Sequence, residues 1–371
     1  MAEARGPDIT AEGCRTEIPL TLPPGLERVE VHVFPLDCAG DEDELFGRWV
    51  FEGAVGGPAV IMVDWAETGT GAVRLSEAGR QGAAREATSA ERKGGAAVWP
   101  TMVVRAGCGD WSSESRVRIT DTGLLKGYYQ REGHQEQYVA AHPFFEAFHQ
   151  GRLRCLGSLF RRYIEPGSRV LDVGSGYGIF YMISEDWDLE RGFEITCCDL
   201  DVAAMDKMRA LAPRWNWVVA DALDLPWEDG AFDAIYAGEI IEHVPSPTVA
   251  LSEWGRLLRP GGTMVLSTPN RDRLLARANH AAMPVHHEHI HEMSLAELRA
   301  AVREAGFSVL KVSGVYLEYL INWWRPPGSR VDLLTARLGH PRYHALYKAS
   351  MELGRLAPSL SFDLVVVCRK L

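Results

Sequence analysis

Residues Arg169-Val-Leu-Asp-Val-Gly-Ser-Gly-Tyr-Gly178 constrain this chain more than any other stretch. A short apolar run ends in three glycines at alternate positions, Gly174, Gly176 and Gly178. Glycine takes positive φ without a Cβ penalty. Such a turn can therefore leave a strand sharply, bring backbone N–H groups against a ligand and start a helix. The predicted unit is strand, turn, helix, the opening of an α/β sheet. A GxGxG turn alone is weak evidence of a ligand, because tight strand–helix turns also use glycine for structure alone.

The surroundings of the turn add chemistry. Asp172 precedes the glycines, where a carboxylate can order the loop or meet a ligand ammonium group. Ser175 lies within the turn. The predicted strand Ile195-Thr-Cys-Cys198 ends in Asp199 and Leu200, and a carboxylate there can accept both hydroxyls of a ribose. Asp201 is a rival for that role, two residues past the strand end. A further strand, Trp217-Val-Val-Ala220, ends in Asp221 and Ala222, placed to meet an adenine amino group. From about residue 135 to 164, Phe144, Phe145, Phe148, Leu153, Leu156, Leu159 and Phe160 recur at helical spacing. After Pro166-Gly167 strands and helices alternate, which predicts a sheet covered by helices on both faces.

The ordered set Val-Leu-Asp-Val-Gly-Ser-Gly-Tyr-Gly, Cys-Asp-Leu-Asp, Ala-Asp-Ala-Leu-Asp-Leu-Pro-Trp, Phe-Asp-Ala-Ile and Leu-Arg-Pro-Gly-Gly resembles the class I S-adenosylmethionine-dependent methyltransferases. The resemblance covers about residues 140 to 371. It implies a doubly wound, seven-stranded, mainly parallel sheet with one antiparallel strand near the C-terminus. The late strands would be Gly262–Ser267, about Ser308–Val315, and Phe362–Cys368. It also implies S-adenosylmethionine as cofactor, held by Asp172, Gly174, Ser175, Gly176, Gly178, Asp199, Leu200, Asp221, Ala222 and Glu239. A dehydrogenase is the main competitor for such a turn, but it usually shows GxGxxG spacing.

Two clusters can handle a methyl acceptor. Gly238-Glu-Ile-Ile-Glu-His-Val244 follows the strand Phe232-Asp-Ala-Ile-Tyr236, and Val285-His-His-Glu-His-Ile-His-Glu-Met-Ser294 follows Gly262–Ser267. Loops at the carboxyl ends of parallel strands line the ligand crevice. In one reading Glu242 and His243 order their loop, and His291 with Ser294 begins the helix Leu295–Gly306. In the sharper reading Glu239, Glu242, His243 and His289 hold a divalent metal, Mg²⁺ or Mn²⁺, with Glu239 and Glu242 on one face if the segment is helical. The metal would grip vicinal hydroxyls and acidify the attacked one. Glu242, His243 and His289 are then the catalytic residues. The pattern is similar to Glu-x-x-Glu-His plus a distal His in small-RNA 3′-terminal 2′-O-methyltransferases, and to Glu-x-x-Glu-His in ubiquinone-pathway O-methyltransferases. Without metal, His286, His287 or His291 can act as general base. Tyr128, Tyr129, His134, Gln135 and Tyr138 precede the first helix of this part. Tyr316 to Trp324, with adjacent Trp323 and Trp324, offers an acceptor wall, although Tyr316 and Leu317 fit core packing better.

The rest of the chain reads differently. Residues 1–25 look like a loose arm. Arg28–Phe34 and Ser115–Thr120 alternate with period two, and Ala59–Trp65 and Thr101–Arg105 are short apolar runs. Ser76 to Gly95 reads as a mobile loop. Residues 1–125 are therefore expected to form a small, mostly β module for recognition or oligomerisation, and 126–371 the methyltransferase domain. The net charge is −11, which disfavours nucleic acid. The densest basic group, Arg152, Arg154, Arg161 and Arg162, reads as the solvated face of one helix. Seven irregularly spaced cysteines without CxxC argue against structural zinc and for a reducing, cytoplasmic setting. An apolar leader and a membrane span are not evident. The expected activity is O-methylation of a small-molecule hydroxyl, on a sugar or a secondary metabolite. Its alternatives are N-methylation of an amine, RNA 3′-terminal 2′-O-methylation, and a non-catalytic cofactor-binding scaffold. A homo-oligomer is compatible with all of these.

Overall fold

The computed structural model describes residues 2–5, 9–11, 15–23, 28–35, 47–52, 57–66, 72–77, 85–87, 89–92, 101–108, 111–119, 145–176, 178, 192–273, 289–317 and 351–371. These fall into two units. One holds Met1–Tyr129 with His286–Ile290, the other Gln130–Val285 with His291–Leu371.

The N-terminal unit is built from strands β1 (Ala2–Arg5), β2 (Ile9–Ala11), β3 (Arg15–Leu22), β4 (Arg28–Pro35), β5 (Gly47–Glu52), β6 (Gly57–Asp64), β7 (Val73–Glu77), β8 (Arg85–Glu86), β9 (Ser89–Arg92), β10 (Thr101–Cys108) and β11 (Trp111–Ile119). One sheet runs β1-β11-β10-β4-β5-β9, with β2 also on β11; the other runs β3-β6-β7-β8. Alternation explains the core. Val29, Val31 and Val33 from one sheet meet Ile18, Ile61 and Val63 from the other in a single buried cluster. Two expectations are corrected here. The loose arm contains β1, β2 and all of β3, where Thr16, Ile18 and Leu22 are buried and Thr16 accepts from the Trp65 indole at 2.8 Å. The Ser76–Gly95 loop contains β8 and β9, paired to Arg74–Leu75 and to Gly47–Val50. Neither strand has an apolar stripe, so its state is set by its neighbours rather than by its own pattern.

The second unit contains α1 (Phe145–Tyr163), β12 (Arg169–Val173), β13 (Glu194–Asp199), α2 (Val202–Leu211), β14 (Asn216–Val219), β15 (Phe232–Gly238), α3 (Pro247–Leu257), β16 (Leu258–Pro269), α4 (Leu295–Glu304), β17 (Phe307–Leu317) and β18 (Ser361–Lys370). Its seven strands lie in the order β14-β13-β12-β15-β16-β18-β17. The first five are parallel, and β18 runs antiparallel to both β16 and β17. Successive residues feed two cores. Val170, Ala234, Tyr236, Val265, Val365 and Val367 pack with Leu156 and Phe160 of α1. Leu171, Ile235, Met264, Leu266, Leu364 and Val366 pack with Leu251 and Trp254 of α3 and Leu298 of α4. Burial on both faces is why these strands read as continuous apolar runs. Ser294 starts α4, as expected, and it does so in a capping box with Glu297.

Parallel direction puts the carboxyl ends of β12, β13, β14, β15 and β16 along one edge of the sheet. Because β18 is antiparallel, its first residues reach the same edge, with Asp363 opposite Pro269. No helix among the described residues is long and apolar enough to cross a membrane.

Candidate functional site

The glycine turn leaves β12 as expected. Gly174, Gly176 and Gly178 all have positive φ, at 70°, 49° and 76°. At Gly174 space is also short, since a Cβ would lie 2.7 Å from Ile240 Cγ1. The Gly174 and Ser175 N–H groups donate to the Cys198 carbonyl at 2.9 and 3.0 Å, and this ties the turn to β13. The Gly176 N–H donates to Asp199 Oδ2 at 2.8 Å, while the Asp201 N–H donates to Asp199 Oδ1 at 2.9 Å. Asp199 therefore braces the turn from the end of β13. Leu200 follows it, half-buried. Asp201 has other work, because its Oδ1 accepts from the Ala204 N–H and caps α2.

Asp172 is buried at the end of β12, and its Oδ2 has no hydrogen-bond partner among the described residues. Burial first, and the Asp199 charge second, push its pKa well above the usual carboxylate range. A buried acid in that state favours a cationic partner, and the cofactor's ammonium group is one. Asp221 sits past β14 and receives the Leu223 N–H at 3.0 Å, with Ala222 beside it. The glycine cradle, the orphaned Asp172 oxygen and the carboxylates at two strand ends fit S-adenosylmethionine.

The Glu/His segment is a turn rather than a helix, closed by the His243 N–H donating to the Ile240 carbonyl at 3.0 Å. Glu239 and Glu242 accordingly do not share a helical face. Glu239 takes a positive φ of 53°. Its Oε1 accepts from Ser267 Oγ at 2.8 Å and its Oε2 pairs with Arg152 at 2.9 Å. Glu242 is fully buried. Its Oε2 accepts from Thr268 Oγ1 at 2.9 Å, while its Oε1 has no hydrogen bond among the described residues and lies 4.0 Å from His243 Nε2. Burial, then Glu239, raise the Glu242 pKa well above the usual range. An oxygen-rich acid with one orphaned oxygen beside an imidazole fits a divalent cation.

His291 clamps this turn. Its N–H donates to the Glu242 carbonyl at 3.1 Å, and its ring Nε2 lies 3.0 Å from the Pro245 carbonyl. A ring nitrogen facing a carbonyl oxygen must carry the proton, so that nitrogen cannot accept one. His289 is buried and groups with the N-terminal unit. Tyr316 is core, as expected. His286, His287, Tyr128, Tyr129, His134, Gln135, Tyr138, Trp323 and Trp324 lie outside the described residues.

Sequence reasoning misplaced one residue here and missed another. Arg152 was assigned to a solvated face but is 2% exposed. It stands four residues before Leu156 and eight before Phe160, on the apolar stripe of α1, and that spacing was the available signal. Asp363 was hidden within an apolar strand. It is fully buried, and neither of its oxygens has a hydrogen-bond partner among the described residues.

A methyltransferase-domain family model matches residues 145–312. A ubiquinone biosynthesis O-methyltransferase of Xanthomonas axonopodis pv. citri is 34% identical over 216 residues, covering 53% of this chain and 81% of that protein. Its counterpart in Xanthomonas campestris pv. campestris is 33% identical over 173 residues, covering 41% and 68%. Among solved structures, an S-adenosylmethionine-dependent methyltransferase of Thermotoga maritima is 17% identical with a TM-score of 0.43, covering 67% of this chain and 100% of that one.

Proposed function

The chain belongs to the class I S-adenosylmethionine-dependent methyltransferases, and on that premise we propose that it methylates a hydroxyl of a small molecule with help from a divalent cation. The observation that carries this reading is Glu242, a buried acid with one oxygen held by Thr268 and the other, beside His243, without a hydrogen-bond partner among the described residues. Glu242 and His243 would hold Mg²⁺ or Mn²⁺, and the sequence motif adds His289 to the set. Glu239, with both oxygens engaged by Ser267 and Arg152, stands behind them as a support. A cation held there acidifies a bound hydroxyl and suits vicinal diols and catechols.

The cofactor, when bound, supplies an electrophilic methyl group. The chain's part is to align and to exclude water. The Asp172 carboxyl would meet the ammonium group, Asp199 would accept the ribose hydroxyls and Asp221 would take the adenine amino group. Gly174, Ser175, Gly176 and Gly178 let the backbone approach, with Leu200 and Ala222 as flanking contacts. A net charge of −11 disfavours the RNA alternative.

The test is S-adenosylhomocysteine formation from S-adenosylmethionine and Mn²⁺ with catechol or with phenethylamine as acceptor. Turnover of catechol that stops with a chelator is expected. Chelator-resistant turnover of phenethylamine would replace this reading with N-methylation. Tight cofactor binding with no turnover of either would point to the scaffold alternative.

The β unit is assigned to acceptor recognition or oligomerisation. Removing residues 1–125 is expected to leave S-adenosylhomocysteine binding intact and to weaken acceptor binding at least about tenfold. Loss of solubility or a changed mass in solution would favour the oligomeric role instead.

A further inference from the structure

Asp363 is the buried polar group that the cofactor and cation assignments leave without a task. It lies third in β18, at the edge of the sheet where the parallel strands end. Ser267 faces Val365 across the β16–β18 ladder, so Asp363 is its diagonal neighbour on the same face. Diagonal neighbours stand about 7–8 Å apart, within reach of one another's side chains through a small bound group. Ser267 Oγ in turn holds Glu239, the carboxylate paired with Arg152. Asp363 thus lies diagonally across from the residue that holds Glu239.

Both Asp363 oxygens lack a hydrogen-bond partner among the described residues. That is costly whether the group is charged or neutral, because a carboxylate then lacks donors and a carboxylic acid lacks an acceptor for its proton. Burial and Glu239 raise its pKa well above the usual range, with Arg152 and Arg273 opposing. The simplest alternative is a structural counter-charge for those two guanidiniums. Each, however, already has a carboxylate within 2.9 Å, Glu239 for Arg152 and Glu292 for Arg273. Unsatisfied buried groups are rare in native proteins, and each calls for an explanation such as strain, an ordered water, an ion or a functional role.

We propose that Asp363 is a specificity-determining contact for the acceptor, hydrogen-bonding an oxygen adjacent to the hydroxyl pair held at the Glu242 turn. The preferred acceptor class is therefore a polyol or polyphenol with a third neighbouring hydroxyl. This rests on the hydroxyl-acceptor reading given above.

The experiment compares catechol with pyrogallol, which adds one vicinal hydroxyl, by equilibrium binding to full-length protein saturated with S-adenosylhomocysteine and Mg²⁺. The wild-type protein is expected to bind pyrogallol about tenfold more tightly. Asp363→Leu should abolish that preference while catechol affinity stays within about threefold. Asp363→Asn, which still hydrogen-bonds, should retain most of it. Should Asp363→Leu not fold, Asp363→Ala carries the same comparison. An unchanged pyrogallol preference in the Leu or Ala variant would overturn the assignment and leave hydroxyl methylation standing, as would a wild type without preference. If neither phenol binds to protein that still takes up S-adenosylhomocysteine, the acceptor reading falls and this inference falls with it. A purely structural counter-charge would lower thermal stability in both variants and leave the ratio of affinities untouched.

Discussion

Asp199→Ala is expected to weaken S-adenosylhomocysteine binding by about 10²-fold or more. The carboxylate has two tasks. It is placed to accept the ribose hydroxyls, and it already accepts the N–H groups of Gly176 and Asp201. Hydrogen bonds to a charged group contribute about 1.5–3 kcal/mol each, so losing the ribose contact and the brace together exceeds the loss of a single contact. Asp201→Ala is the control. It removes the α2 cap and should cost about 1 kcal/mol of stability, with cofactor affinity within about threefold. Calorimetric titration of both variants decides the matter. An affinity unchanged in Asp199→Ala would sink the ribose assignment.

Glu242→Ala carries the second large effect. Mn²⁺ titrated into metal-stripped protein saturated with S-adenosylhomocysteine should bind one to one, and the substitution should abolish that binding. Turnover of a diol acceptor should fall at least about 10²-fold. No Mn²⁺ binding in the wild-type protein would remove the cation and leave alignment, or a histidine base, as the mechanism. The metal-free protein offers an independent readout. Burial and Glu239 raise the Glu242 pKa above its ordinary value of 4.5, so the folded chain keeps a proton that the unfolded chain has lost. That contribution is complete below pH 4.5 and is lost as pH rises toward the folded value. Thermal stability without metal should therefore decline above pH 4.5, and Glu242→Gln, which cannot ionise, should flatten the decline. Asp363 acts in the same direction.

Much of the cofactor side was legible because its signals are local. A glycine must stand where φ is positive, as at Gly174, and Asp199, although it braces the turn from 23 positions away, is marked by its place at the end of a strand. The acceptor side was less legible because its charges are partnered across long stretches of chain. Arg152 meets Glu239 from 87 positions away, counted as 239 minus 152. Only the i,i+4 relation of Arg152 to Leu156 hinted that it faces inward. Asp363 gave no periodic signal, since one acid at the head of an apolar run looks like an ordinary strand boundary. The N-terminal arm and the Ser76–Gly95 segment were read as loose because β1, β8 and β9 are ordered by strands elsewhere rather than by their own residues.

The position of β18 has a consequence for the order of assembly. Among the described strands β17 pairs only with β18, yet β18 follows it in the chain and lies between it and β16. When β17 emerges during synthesis it has no edge to join, and β16 has an open one. Both wait for residues 361–370. Pairings of this kind form late and slowly, since a long loop must close before any contact rewards it. Until then an apolar edge is exposed, which favours aggregation and chaperone capture. A chain stopped before Ser361 would carry the whole glycine turn and the Glu242 segment, but neither a closed sheet nor Asp363.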